Sequence, residues 1–201
     1  MRLYRPWYLM RCLYPGAVFR IKTPQKVLFL TFDDGPDPVS TPAILGILER
    51  YKVKAVFFCN GLKAEKYPDL IHQIKQNGHT TGNHSYSHSD GWVTSLKKYI
   101  EDVSRADECT SANLFRPPYG HLTPGQFRAL RKKYRIVFWD VMPYDFDKSF
   151  GSGNVLRILK KKIRRGSIIV LHDNPDTKAE VILGYFIASA VKEGYEFNIL
   201  A

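Results

Sequence analysis

The apolar run Val27-Leu28-Phe29-Leu30-Thr31-Phe32 stops abruptly at Asp33-Asp34-Gly35-Pro36-Asp37-Pro38. Uninterrupted β-favouring residues of this kind read as a buried strand, and the Gly-Pro pair ends it sharply. Two carboxylates at the exit of such a strand are held on a rigid support beside low-dielectric surroundings. That placement tunes acids for chemistry or for metal. The plain alternative is an acidic turn, since Asp and Gly are ordinary turn formers.

The rest of the chain alternates around this strand. Strands are expected at 27–32, 55–59, 80–83, 114–115, 135–141, 167–171 and 196–200. Helices are expected from Thr41 to Tyr51, Tyr67 to Asn77, Thr94 to Asp107, Thr123 to Tyr134, Asn154 to Arg165 and Lys178 to Lys192. Pro42 and Pro124 sit at tolerated first-turn positions, and Gly78 closes its helix. Strands separated by helices argue for an α/β fold with a parallel sheet. Periodicity leaves open whether that sheet closes as an imperfect barrel or stays open and doubly wound. No linker interrupts the pattern, so one domain is expected over 26–201, preceded by a basic, aromatic segment at 1–25.

With 201 residues and 44% hydrophobic content, one domain can bury a sizeable core. The net charge of +11 favours anionic partners such as nucleic acid, acidic lipid or an anionic polymer. The denser basic runs, Lys160-Lys161-Lys162 and Arg164-Arg165, read as a solvated helix face. No nucleic-acid motif accompanies them, so no nucleic-acid partner is expected. Cys12, Cys59 and Cys109 are widely spaced and odd in number, which argues against a disulfide framework and for a reducing compartment.

Near the N-terminus, Arg11 breaks the apolar stretch from Trp7 to Met10, which is too short for a secretory signal. No run approaches a membrane span. A cytoplasmic or membrane-peripheral location is expected. Residues 1–20, with Trp7, Tyr8 and the flanking arginines, suit a peripheral membrane contact; the alternative is a packed N-terminal cap.

The unusual polar residues share one location. Asp33 and Asp34 follow the first strand, His84 and His88 the third, Arg116 the fourth, Asp145 the fifth, and His172 and Asp173 the sixth. All fall at carboxyl ends of strands, the edge where parallel α/β folds build active sites. On a helical turn, His84 and His88 at i and i+4 share a face and can bind one metal. A carboxylate such as Asp34 would complete a set that leaves positions open for water and substrate, as catalytic Zn²⁺ requires. Arg116-Pro117-Pro118-Tyr119-Gly120 is stiffened by its prolines. Its arginine either points to solvent or is held against a carboxylate, with backbone N–H groups near a developing oxyanion.

Taken in order, Thr31-Phe32-Asp33-Asp34-Gly35-Pro36, His84-Ser85-x-x-His88, Arg116-Pro117-Pro118-Tyr119-Gly120 and Val170-Leu171-His172-Asp173 resemble the NodB-homology polysaccharide deacetylases, carbohydrate esterase family 4. The resemblance spans about residues 26 to 200. It implies a distorted (β/α) barrel of about seven parallel strands. It implies Asp34, His84 and His88 as ligands of a divalent metal, usually Zn²⁺, with Co²⁺ or another divalent ion as alternatives. Asp33 would be the general base, Arg116 its orienting partner and His172 the general acid, partnered by Asp145. Tyr119 would offer its backbone N–H to the oxyanion. Pro118, Tyr119, Phe146 and Val170 would contact substrate, Val170 standing where the family often has a leucine beside the acetyl methyl. The family's fourth motif often reads Asp-x-x-Asp-Trp; here Met142 replaces its first aspartate and Phe146 its tryptophan.

The chemistry so implied is N-deacetylation of an N-acetylhexosamine polymer or oligomer, of chitooligosaccharide or peptidoglycan type, releasing acetate. Two rivals stand beside it. An O-deacetylase of acetylated xylan would use the same residues on an ester. A non-catalytic binder of a glycan or anionic polymer would use only the fold and the charge.

Overall fold

The computed structural model describes residues 2, 4–6 and 8–200, the side chain of Tyr8 excepted. Its centre is β1 (Val27–Asp33), buried at every residue. Parallel neighbours flank it: β2 (Val56–Cys59) and β6 (Ile168–His172). The first half of β1 also pairs in parallel with β7 (Glu196–Asn198). Outward from β2 follow β3 (Thr80–Asn83), β4 (Leu114–Phe115) and β5 (Arg135–Ile136), again parallel. The chain beyond β5 then crosses to the opposite edge of the sheet. Val141 forms a parallel bridge with Ile169, and the Val170 N–H donates to the Val141 carbonyl at 3.0 Å. The sheet therefore curls into an imperfect barrel, and the open doubly wound alternative is set aside.

The helices are α1 (Tyr8–Leu13), α2 (Ser40–Arg50), α3 (Gly61–Lys66), α4 (Pro68–Gln76), α5 (Leu96–Thr110), α6 (Pro124–Leu130), α7 (Ser152–Lys162) and α8 (Ala179–Lys192). Six correspond to the expected helices. The short α1 and α3 were not expected. The start of α3 is fixed by Asn60, whose side chain accepts the Lys63 N–H at 3.1 Å. Thr123 and Gln126 form a reciprocal capping box at α6, with Pro124 in its first turn.

Successive strand residues point to opposite faces, and β1 sorts accordingly. Val27 and Phe29 pack inside the curl with Val56, Phe58, Leu114 and Ile168. Leu28, Leu30 and Phe32 pack outside it against Ile44, Leu48, Leu159, Leu183 and Phe186 of the surrounding helices. The inner face thus carries Phe29, Thr31 and Asp33 in succession, which delivers Asp33 to the mouth of the barrel.

Strand β5 is shorter than the expected 135–141. The N-terminal segment takes over the pairing there: Val18 bridges Val137, and the Phe138 N–H donates to the Val18 carbonyl at 2.8 Å. Tyr14 and Phe19 of the same segment are buried beside Phe127 and Phe138, with the Phe19 and Phe138 rings stacked at 4.7 Å. Residues 14–20 are thus packed on the barrel. Trp7 and the Tyr8 side chain, invoked for a membrane contact, lie outside the described residues. Among the described residues no helix is long and apolar enough to cross a membrane.

Candidate active site

Arg116 follows β4 and turns into the barrel, where it is fully buried. Its guanidinium lies over the Phe58 ring at 4.1 Å. Nη1 donates to Asp33 Oδ1 at 2.6 Å and to Thr31 Oγ1 at 2.7 Å; Nη2 and Nε donate to the carbonyls of Phe138 (2.9 Å) and Val137 (3.2 Å). The Thr31 hydroxyl in turn donates to the Ile169 carbonyl at 2.7 Å. A buried charge is tolerated when it is paired and hydrogen-bonded all round, and Arg116 meets that requirement. Of the two readings of this arginine, solvent-facing or held against a carboxylate, the second is observed.

Asp34 turns away from Asp33 because its backbone is left-handed, at φ 74, a conformation that Asp tolerates better than most residues. Asp34 Oδ1 lies 3.5 Å from His84 Nε2 and 3.1 Å from His88 Nε2. The three donor atoms fall within 4.8 Å of one another. Tetrahedral donors about 2.1 Å from a Zn²⁺ ion are about 3.4 Å apart, so the observed spacings suit one ion. His84 Nδ1 contacts the Arg116 carbonyl at 2.8 Å. That bond places the proton on Nδ1 and leaves Nε2 as the ligand atom. Two imidazoles and one carboxylate are a donor set of the catalytic kind, with positions left open. Burial alone would discourage charge on Asp34, but its bonds to His84 and His88 and the nearby His172 outweigh that and hold its pKa well below the usual carboxylate range.

The two histidines do not share a helical turn. Residues 84–90 form an irregular loop, with Ser85 at φ 60 and His88 at φ 59. These two left-handed residues, rather than helical spacing, bring the imidazoles to one side of the site.

His172 ends β6 across the mouth. Its Nδ1 lies 2.8 Å from Asp145 Oδ1, and its backbone N–H donates to Asp145 Oδ2 at 2.8 Å. Asp145 is fully buried. Burial pulls the His172 pKa down, yet Asp145, aided by Asp34 and Asp33, pushes it up to about 9. The imidazole is therefore cationic at neutral pH.

A cavity of about 390 Å³ lies between these groups, lined among others by Asp33, Asp34, His84, His88, Tyr119 and His172. Phe146 and Met142, where the fourth motif departs from the family pattern, both stand on its wall. Phe146 sets its ring edge-on to His172, centroids 4.8 Å apart. Pro118 is buried between Pro117 and Tyr119, which both line the cavity, and Val170 is buried two residues before His172 on the same face of β6.

Three residues of the site were not anticipated, and a fourth, Asp173, was placed on this edge without a role. Thr31 supports Arg116, Trp139 and His121 line the wall, and Asp173 secures the loop after β1. The Asp173 oxygens accept the hydroxyls of Ser40 (2.5 Å) and Thr41 (2.6 Å), and Asp173 packs directly on Gly35. A Cβ on Gly35 would fall 2.1 Å from Asp173 Oδ2. For Thr31 and Asp173 the signal was present in the sequence, since Thr31 stands two residues before Asp33, on the same face of the strand, and Asp173 adjoins His172.

Residues 20–139 match the family described as polysaccharide deacetylase. A peptidoglycan-N-acetylglucosamine deacetylase of Bacillus cereus is 29% identical over 191 residues, covering 90% of this chain and 89% of the relative. A chitooligosaccharide deacetylase of Azorhizobium caulinodans is 33% identical over 174 residues, covering 82% of each. The solved structure of a peptidoglycan N-acetylglucosamine deacetylase in complex with 4-naphthalen-1-yl-N-oxidanyl-benzamide aligns at a TM-score of 0.89 with 28% identity, covering 97% of this chain and 95% of that one. On its fold and on these matches, the chain belongs to the polysaccharide deacetylases, the NodB-homology family also known as carbohydrate esterase family 4.

Proposed function

We propose that this protein is a metal-dependent N-deacetylase of N-acetylhexosamine-containing glycans, of chitooligosaccharide or peptidoglycan type. One observation carries the reading most. Adjacent carboxylates are split between two environments, Asp33 against the buried Arg116 and Asp34 against two imidazoles, with the cationic His172 facing both.

Asp34, His84 and His88 would hold a divalent cation, Zn²⁺ being best suited to that donor set, and such an ion would supply polarisation of the acetyl carbonyl and a more acidic water. Asp33 accepts the proton of the attacking water, its carboxylate held in place by Arg116 and, through Arg116, by Thr31. The Tyr119 backbone N–H, on a turn stiffened by Pro117 and Pro118, donates to the carbonyl oxygen as negative charge develops there. His172, kept charged by Asp145, gives a proton to the departing sugar nitrogen. Amide and water become acetate and a free amine.

The test is acetate release from N-acetylglucosamine oligomers by the purified protein. Release should stop with chelator and return on adding Zn²⁺ or Co²⁺. Release that persists unchanged through exhaustive chelation would remove the metal from the account. Release from acetylated xylan but from no N-acetylated substrate would transfer the same residues to an ester.

A further inference from the structure

Trp92 stands just outside the cavity with 62% of its surface exposed, yet everything beneath it is fixed. Its backbone N–H donates to Asp90 Oδ1 at 2.8 Å. Both Asp90 oxygens lie 3.0 Å from His121 Nδ1. The His121 ring lies flat under the indole, centroids 3.5 Å apart and planes within 7°. Gln126, fully buried, donates to the carbonyls of Gly91 (2.9 Å) and Thr94 (3.0 Å), clamping the turn that carries Trp92. Gly91 permits the close approach, because a Cβ there would fall 2.4 Å from the His121 carbonyl oxygen. His121 itself lines the cavity, and the Tyr119 ring is 5.8 Å from it. The flat aromatic surface is therefore continuous with the site.

We propose that Trp92, stacked on His121, is a platform for a second sugar ring of the chain whose neighbouring residue occupies the cavity. A pyranose presents an apolar face of C–H groups, which matches a rigid indole, while its hydroxyls project sideways toward water and polar neighbours such as Asp90. An aromatic fixed in advance loses little freedom on binding, so its contact is fully expressed as affinity. Trp92 would thereby give the oligomers and polymers proposed as substrates a second point of contact that a single acetylated sugar lacks. This rests on the glycan deacetylase reading above, and Trp92 acts by positioning, not in the chemistry.

Calorimetric titration of the Asp33→Asn chain with N-acetylglucosamine and with its tetramer reads the platform without turnover. The tetramer should bind about tenfold or more tightly than the monomer. Adding Trp92→Ala should remove that advantage while leaving monomer affinity unchanged, and Trp92→Phe should restore most of it. In the active protein, Trp92→Ala should raise KM for the tetramer about tenfold with kcat unchanged. Affinity independent of chain length, or a Trp92→Ala loss that is equal for monomer and tetramer, would overturn the platform. Failure of the deacetylase reading would show separately, as no acetate released by the parent protein from any chain length.

Discussion

Asp145→Asn isolates what the buried carboxylate does for His172. The substitution keeps an oxygen that can accept from the imidazole and removes the charge. In the parent protein His172 is raised from 6.5 to about 9, a preference for the imidazolium of about 3 kcal/mol. Asp145 is the largest favourable contributor, at 2.8 Å, whereas burial works in the opposite direction. Without Asp145 the burial penalty is opposed only by Asp34 and Asp33, and the imidazole should titrate at or below its ordinary value. At pH 8 the protonated fraction would fall from about nine-tenths to about 3%, a loss of about thirtyfold in available acid. The assay is kcat/KM for acetate release from pH 5.5 to 10. The basic limb of the profile should move by about 2.5 pH units or more toward acid in Asp145→Asn, and the rate should recover substantially as pH is lowered. A dication on Asp34 opposes charge on His172 in both proteins, so the displacement between profiles carries the test. A basic limb that stays in place while the whole profile drops would refute the argument and reduce Asp145 to an orienting group.

Other perturbations follow from the same contacts. The folded pKa of His172 lies above its unfolded value. Its contribution to stability is therefore fully present below pH 6.5 and lost as pH rises through about 9, so Tm of the metal-free protein should fall across that window and fall less in Asp145→Asn. Arg116→Met leaves Asp33 buried without its partner and should lower stability by about 3–5 kcal/mol in urea unfolding, with activity lost; a protein of parent stability would mean that Asp33 does not need the guanidinium. Gly35→Ala drives a methyl into the Asp173 carboxylate and should cost about 1–3 kcal/mol together with activity, whereas Gly46→Ala, where nothing lies within 4 Å, should not destabilise.

What could be read from the sequence follows from which residues carry periodic or punctuated signals. Strand β1 was legible because burial on both faces leaves no charged residue before Asp33 and only the β-favouring Thr31 among its apolar side chains. The edge on which Asp34, His84, Arg116, Asp145 and His172 gather was legible because parallel topology places every strand exit at the same end. Closure of the barrel was legible only through the family resemblance and not from periodicity, since it depends on Val18 capturing Val137 and on Val141 reaching Ile169, contacts between segments distant in sequence. The histidine pair was legible as a pair, but the loop that holds it is shaped by left-handed Ser85 and His88, conformations that the amino-acid identities do not announce. Trp92 and His121 went unnoticed because their stacking joins two loops that only the fold brings together.

The division of labour between the two adjacent aspartates is the central claim, and metal content measured together with acetate release in Asp33→Asn and Asp34→Asn tests it most directly. Asp33→Asn should retain about one equivalent of Zn²⁺ and lose turnover by about a thousandfold. Asp34→Asn should lose the metal, and its turnover should rise when Zn²⁺ is supplied in large excess. Loss of metal from Asp33→Asn with retention in Asp34→Asn, or near-parent turnover in Asp33→Asn, would contradict the assignment of base and ligand.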